Sequence, residues 1–484
     1  MNKIIKRVIS LIRNEYFILS LILLGSVLLR LYKISNPILD WHSFRQVDTA
    51  SVTKVFYEEG VNLFIPRYHD ISSTQSGIFN PQGYRFVEFP IFNLIHLEIY
   101  KLFPFIEIDI VGRMVSIFSA VLSTVLIFLI TRRLVGKPQS LIAAGLYAIL
   151  PYNIYFTRVI LPEPFAVTFG LAAIWFFVKY LDKNSIFSLL LSAASFSLAI
   201  LVKPYMLFYG IPIFYLHVTK KSLKSILKSW EIYLWGIIVL VPFVLWRVWM
   251  DQFPEGIPFW KWTFNGDGIR FRPAFWKWIF GERLTAMMLG YLGIIPFTFG
   301  ILSAKAKKLF PHMFLIGAFV YVSVFATANV RHDYYQTIIV PSVVIMTAVG
   351  IVEIWRQNYY SKKIARVLVI VSVAIMIITS YVQIKEFYKI NRPELVEAGN
   401  KVDEIVPKDA LVIAPYNGDT AFLYQTNRKG WPVVDRPIDE LIDYGAQYFV
   451  SVDLNHYQTI EFSKRFEVIF KASNYVIIDL TKSN

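Results

Sequence analysis

The densest chemistry in this sequence lies in LDWHSFRQVDTASVTKVFYEEG (39–60), just after an apolar run. Asp40, His42, Arg45 and Asp48 are titratable, and Trp41 stands among them. A carboxylate held where a chain leaves a membrane is partly desolvated, which suits a general base. Each residue also has an ordinary structural reading. Asp40 reads as a helix N-cap, and Arg45 with Asp48 as an i,i+3 surface pair. Phe44, Val47, Val55 and Phe56 fit a helical stripe. That predicts an amphipathic helix over 41–57, lying on the membrane surface and ended by Gly60.

Four further stretches carry candidate groups. In YRFVEFPIFN (84–93), Glu88 stands just before a proline that opens a helix, beside Arg85. In TRVILPEPFAVTF (157–169), Glu163 lies between two prolines. Either glutamate could be a plain helix-start residue, yet the flanking prolines would also hold Glu163 in place. NVRHDYYQTIIVPS (329–342) packs Arg331, His332 and Asp333 against Tyr334 and Tyr335. Tyrosines alone would form an interfacial belt; with Arg and His they suit a phosphate. In residues 254–283, Trp260, Trp262, Trp276 and Trp278 alternate with Lys261 and Lys277 around Arg270 and Arg272. That pattern anchors a chain in a membrane, or forms a flap gripping an anionic lipid head group.

The elements that must position these groups follow from composition. Of 484 residues, 56% are hydrophobic and only 17% charged, against about 25% in soluble domains. Mean hydropathy is +0.50. The bilayer is the natural solvent for such a chain. Apolar runs fall at roughly 16–33, 109–131, 139–157, 163–181, 186–202, 204–218, 230–249, 285–302, 310–327, 335–354 and 364–382, which predicts about eleven spans. The run 90–104, interrupted by Asn93, His96, Glu98 and Lys101, predicts an interfacial helix. The net charge of +15 sits in clusters between runs, at 131–139, 179–184, 219–229, 303–310 and 356–366. This is membrane topology rather than nucleic-acid binding. The clusters place the N-terminus, with its basic residues and uncleaved first span, in the cytoplasm. Segments 34–108, 250–284 and 385–484 then gather on the outside. The chain has no cysteine, so disulfides and thiolate chemistry are excluded. Its seven histidines lack H-E-x-x-H spacing.

The last hundred residues change character. PELVEAGNKVDEIV (393–406) is helical in period, and 410–415, 447–452, 466–470 and 475–480 are short β-type runs. The prediction is a polytopic α-helical membrane module, 1–383, followed by a small extracytoplasmic α/β domain, 384–484.

In this order, the motifs resemble a bacterial GT-C-fold membrane glycosyltransferase. More narrowly, they resemble glycosyltransferase family 39, the protein mannosyltransferase and aminoarabinose transferase-like group. The resemblance rests on LDWHSFRQVDTA, then EFP (88–90), Arg113 in GRMVS, Glu163 in LPEPF and HDYY (332–335), and it covers most of residues 30–355. It implies that the first-loop acid falls on Asp40 or Asp48, the Glu-x-Pro glutamate on Glu88 and the second carboxylate on Glu163. Two departures stand out. Protein mannosyltransferases show Asp-Glu in the first loop, where Trp41 follows Asp40. Aminoarabinose transferases carry a lysine where this chain has Phe89.

The resemblance implies sugar transfer from a polyprenyl phosphate donor to a glycan, lipid or protein acceptor, with inversion, at the outer face of the bacterial cytoplasmic membrane. Asp40 or Asp48 would take the acceptor proton, beside Glu88 and Glu163. Arg331, helped by Arg270, Arg272, Arg85 and His332, would stabilise the leaving phosphate. His42, Arg45, Tyr334 and Tyr335 would support them. A divalent cation on Asp40 and Glu163 would be held loosely for want of histidine ligands. The alternative is a transporter or flippase of an anionic lipid-linked glycan. Against it, ionisable residues gather at span ends, not mid-membrane.

Overall fold

The computed structural model describes residues 14–226, 228–303, 309–359 and 361–484. The basic residues of 1–13 and the cluster residues at 304–308 lie outside the described residues. The chain forms two compact units. One takes the described part of Met1–Ile34 with Arg113–Trp246 and Trp260–Glu386; the other takes Ser35–Gly112, Arg247–Phe259 and Phe387–Asn484. Residues 384–484 therefore do not stand apart: most of them are built together with the first long loop.

The first unit is helical. Among the described residues, four helices are long and apolar enough to cross a membrane by length and composition: Ile108–Leu134, Pro162–Lys183, Trp230–Met250 and one starting at Lys362. Other apolar runs form shorter helices. The run 139–157 breaks at Leu150, before Pro151, into Lys137–Ile149 and Pro151–Phe156, because proline cannot continue the ladder. Trp230–Met250 exposes Ile237, Leu240, Val244, Leu245 and Val248. An apolar face of that extent is stable against lipid and costly against water. Helices of this length and composition make the chain a multi-pass membrane protein.

Three arginines with fully buried side chains tie the end of Glu15–Arg30 to later helices. Arg30 donates to Thr157 Oγ1 at 2.7 Å and to the Ala148 carbonyl at 2.9 Å. Arg158 reaches the Lys33 carbonyl at 2.6 Å and Arg113 the Ile34 carbonyl at 2.5 Å. The motif arginine Arg113 thus satisfies a backbone carbonyl in the turn that follows the helix.

The second unit holds a five-stranded sheet in the order β2-β1-β3-β5-β4. Its strands are β1 (Leu411–Ile413), β2 (Gly430–Trp431), β3 (Ala446–Ser451), β4 (Phe466–Lys471) and β5 (Val476–Ser483). β1 runs parallel to β2 and β3, while β5 is antiparallel to β3 and β4. Strand side chains alternate between faces, so the sheet buries two cores. Ile413, Phe449, Ile478 and Phe462 fill one; Val412, Val450, Ile477 and Leu395 fill the other. The first loop extends the sheet edge: Ile71 N–H donates to Gly430 O, and Gly430 N–H to His69 O, both at 3.0 Å.

Gly430 is held in a space that admits no side chain. A Cβ there would lie 1.7 Å from the Val412 carbonyl oxygen, inside the β1–β2 pairing. Gly430→Ala is expected to destabilise this unit by about 3 kcal/mol. A melting curve would read the loss, and a parental midpoint would contradict the packing described.

Candidate active site

The helix Ser43–Glu59 carries most of the first polar motif. It differs from the expected surface helix: Arg45, Gln46, Asp48, Thr49, Ser51 and Thr53 are buried along with Val47, Val52, Val55 and Phe56. Periodicity sorts polar residues to solvent by hydropathy alone; here they face inward because each finds a partner. Asn93, on the Ile91–Leu102 helix, donates to the Thr49 carbonyl at 2.7 Å and to Thr53 Oγ1 at 3.0 Å.

Asp40 is not the N-cap. That position is His42, in a left-handed conformation with φ 57°, making no side-chain cap. Asp40 Oδ1 instead accepts Gln46 Nε2 at 2.6 Å, and Gln46 also donates to the Trp41 carbonyl at 3.2 Å. Arg45 and Asp48 do not pair with each other. Arg45 pairs with Glu88, and Asp48 with Arg85.

Both Asp48 oxygens are engaged, by Arg85 Nη2 at 2.5 Å and by Thr420 Oγ1 at 2.7 Å. Arg85 also donates to Gln75 at 3.2 Å and lies 5.0 Å from the Tyr68 ring centre. Tyr68 donates to Asp70 at 3.1 Å. Burial pushes the Asp70 carboxyl up to about 6, with hydrogen bonds from Ser72 opposing it. Asp419 is likewise pushed up to about 6 by burial, against the Ala421 N–H that it accepts.

A cavity of about 270 Å³ opens beside this network. Asp40, Trp41 and His42 line it, with Arg392, Tyr416 and Asp419 from the C-terminal segment. Trp41 stacks on Phe387 at 5.0 Å with the rings 14° apart. Its backbone N–H donates to the Phe387 carbonyl at 3.0 Å.

In the helical unit, Glu163 lies in the first turn of Pro162–Lys183 and is fully buried. Lys203 Nζ, at the end of Ile186–Val202, stands 2.7 Å from its carboxylate. Tyr335 lies over the same ammonium at 5.9 Å. Asp333 is buried 3.8 Å from Arg283, which sits on a π-helical run, Lys277–Met288. Tyr334 and Tyr335 are buried, so they form no interfacial belt. His332 lies between aromatic rings, 5.7 Å from Trp262 and 5.6 Å from Tyr334. Arg331 is exposed and 3.5 Å from Asp267. Arg270 donates to the Val324 carbonyl at 2.8 Å, and Arg272 is exposed.

Among the described residues, no group of three or more His, Asp or Glu side chains is placed to hold a metal ion. The expected ligand Glu163 already has the Lys203 ammonium as its counter-charge. The residues present do not fit a metal held through that glutamate. Sequence reading missed Lys203, Gln46, Arg283 and Thr420. Lys203 had a signal, as the lone cation in the turn after 186–202; Thr420 had none.

Residues 90–249 match the family model described as dolichyl-phosphate-mannose-protein mannosyltransferase. No curated protein matches the chain significantly. Among solved structures, the chain is similar to ArnT from Cupriavidus metallidurans bound to undecaprenyl phosphate, with TM-score 0.68 and 13% identity. That likeness covers 95% of this chain and 97% of ArnT. The apo form of the same protein gives 0.64 and 12% over the same shares. The Archaeoglobus fulgidus oligosaccharyltransferase AglB, in complex with an inhibitory peptide and a dolichol-phosphate, gives 0.54 and 10%. This covers 90% of this chain and 69% of AglB. At such identities the likeness is one of fold.

Proposed function

We propose that this chain, a GT-C-fold membrane glycosyltransferase of the protein mannosyltransferase and aminoarabinose transferase type, moves a sugar from a polyprenyl-phosphate-linked donor to an extracytoplasmic acceptor. The observation that carries the catalytic assignment is the setting of Asp40. Both aspartates are buried, Asp40 3% and Asp48 2% exposed, but Asp40 lines a cavity, whereas Asp48 is absent from its lining and is tied to Arg85 and Thr420. Asp40 is the general base in this reading, and Asp48 holds the helix in place.

The acceptor hydroxyl gives its proton to Asp40 as its oxygen bonds the anomeric carbon. The carbon–oxygen bond to the donor phosphate breaks, and the electron pair leaves with polyprenyl phosphate. That leaving group is a stable anion, so it needs positive charge more than a proton. Arg331, Arg270, Arg272 and His332 are the groups proposed for it. Arg85 is a weaker candidate, because Asp48 holds it. Glu88 orients Arg45, and through it the start of the helix. The chain is proposed to cross the bacterial cytoplasmic membrane about eleven times, with its N-terminus inside and the sheet-bearing unit outside.

The test uses the full chain in lipid vesicles with a polyprenyl phosphate carrying a labelled sugar, and envelope extract as acceptor. Label is expected to leave the lipid for the acceptor, with release of an equal amount of polyprenyl phosphate. Movement of the intact lipid-linked sugar across the bilayer, with no transfer, would replace this reading with a flippase.

A further inference from the structure

The cavity at Asp40 has a second wall, and its chemistry speaks to the acceptor. Arg392 lies just before the helix Pro393–Ile405, and Tyr416 and Asp419 lie in the turn after β1. Trp41 offers a ring that is 45% exposed, its position fixed by the stack on Phe387. Tyr416 is a second ring in the lining; the Arg392 guanidinium lies over it, 5.6 Å from the ring centre, and the ring packs against the core of Val412 and Leu395. Asp419 accepts the Ala421 N–H through Oδ1 at 2.8 Å, which leaves its second oxygen to hydrogen-bond a guest.

Charge decides which substrate fits. Two carboxylates, Asp40 and Asp419, line the cavity, and Arg392 is neutralised by its pair with Glu394. A phosphate would meet repulsion there. A neutral, hydroxyl-bearing ring would meet two aromatic side chains, Trp41 and Tyr416, and two carboxylates, the usual mix of apolar wall and few polar groups. A cavity of about 270 Å³ lies just under the roughly 300–1,000 Å³ of drug-sized sites, so it takes one ring rather than a chain.

We propose that the C-terminal segment supplies the acceptor wall of the active site through Tyr416, Asp419 and Arg392, and that the acceptor group bound there is a neutral saccharide ring. This rests on Asp40 as the general base, because a base must lie within hydrogen-bond reach of the hydroxyl it deprotonates. The donor sugar shares the ring's chemistry, but its phosphate is repelled by the two carboxylates. The C-terminal segment therefore selects the acceptor and leaves donor binding alone.

The test measures initial rates of the full chain with labelled polyprenyl phosphate sugar and three acceptors: an alkyl glycoside, a Ser/Thr peptide and an anionic lipid phosphate. Tyr416→Ala and Asp419→Asn are expected to raise KM for the glycoside about tenfold, with kcat and donor KM near the parent's. Tyr416→Phe, which keeps the ring, is expected to restore the glycoside KM. The proposal is overturned if glycoside KM stays parental in the folded Asp419→Asn and Tyr416→Ala variants. It is equally overturned if donor KM moves instead, or if peptide or lipid phosphate is the better acceptor by kcat/KM. Failure of the underlying reading looks different: Asp40→Asn would then transfer at the parental rate whatever the wall variants do.

Discussion

Asp40→Asn is expected to lower the rate of sugar transfer by about 10²–10⁴-fold and to leave the melting temperature near the parent's. The asparagine keeps an oxygen for the Gln46 amide, which Asp40 now accepts at 2.6 Å, so the helix start is not disturbed. What is lost is the carboxylate charge in the cavity lining. Asp48→Asn does the reverse. It removes the charge facing Arg85 Nη2, in a pair whose side chains are 8% and 2% exposed. Breaking such a pair leaves an uncompensated buried guanidinium, at a cost of about 3–5 kcal/mol. Folded Asp48→Asn protein, stabilised by lower temperature, should still transfer. The two variants are separated by pairing initial rates with melting curves. If Asp40→Asn kept the parental rate while folded Asp48→Asn lost it, the base would be Asp48.

The sequence alone could say where chemistry was dense but not which of the two aspartates faces a cavity. Asp48 is held by Thr420, 372 residues away, and by Arg85, 37 residues away; no local period encodes such a pairing. The helix Ser43–Glu59 was visible as a helix, since its spacing is helical. Its burial was hidden, because a polar side chain with a distant partner reads like one in water. Apolar runs were legible for the opposite reason: the hydrophobic effect is non-directional and follows composition. The runs 410–415, 447–452, 466–470 and 475–480 coincide with β1, β3, β4 and β5 by their alternation and β-branched content. β2 has two residues, too few for any period, and exists because Gly430 lets its backbone approach Val412.

The largest effect expected in the helical unit comes from Lys203. Lys203→Met leaves the Glu163 carboxylate, fully buried and 2.7 Å from that ammonium, without its counter-charge, and should cost about 3–5 kcal/mol. Glu163→Gln strands the lysine and should cost a similar amount. The double variant removes both charges, and replacing a buried ion pair by neutral groups is often neutral for stability, so most of the loss should return. A buried pair is thus a poor device for stability alone. At the end of an apolar helix it is better explained by function. The double variant is therefore expected to melt like the parent yet transfer sugar at least about tenfold more slowly, as a double-mutant cycle of stability and rate would show. Parental transfer by a stable double variant would assign the pair to helix packing and remove Glu163 from the catalytic set. Loss of rate without loss of stability would mean that the lysine holds the glutamate charged where the reaction uses it.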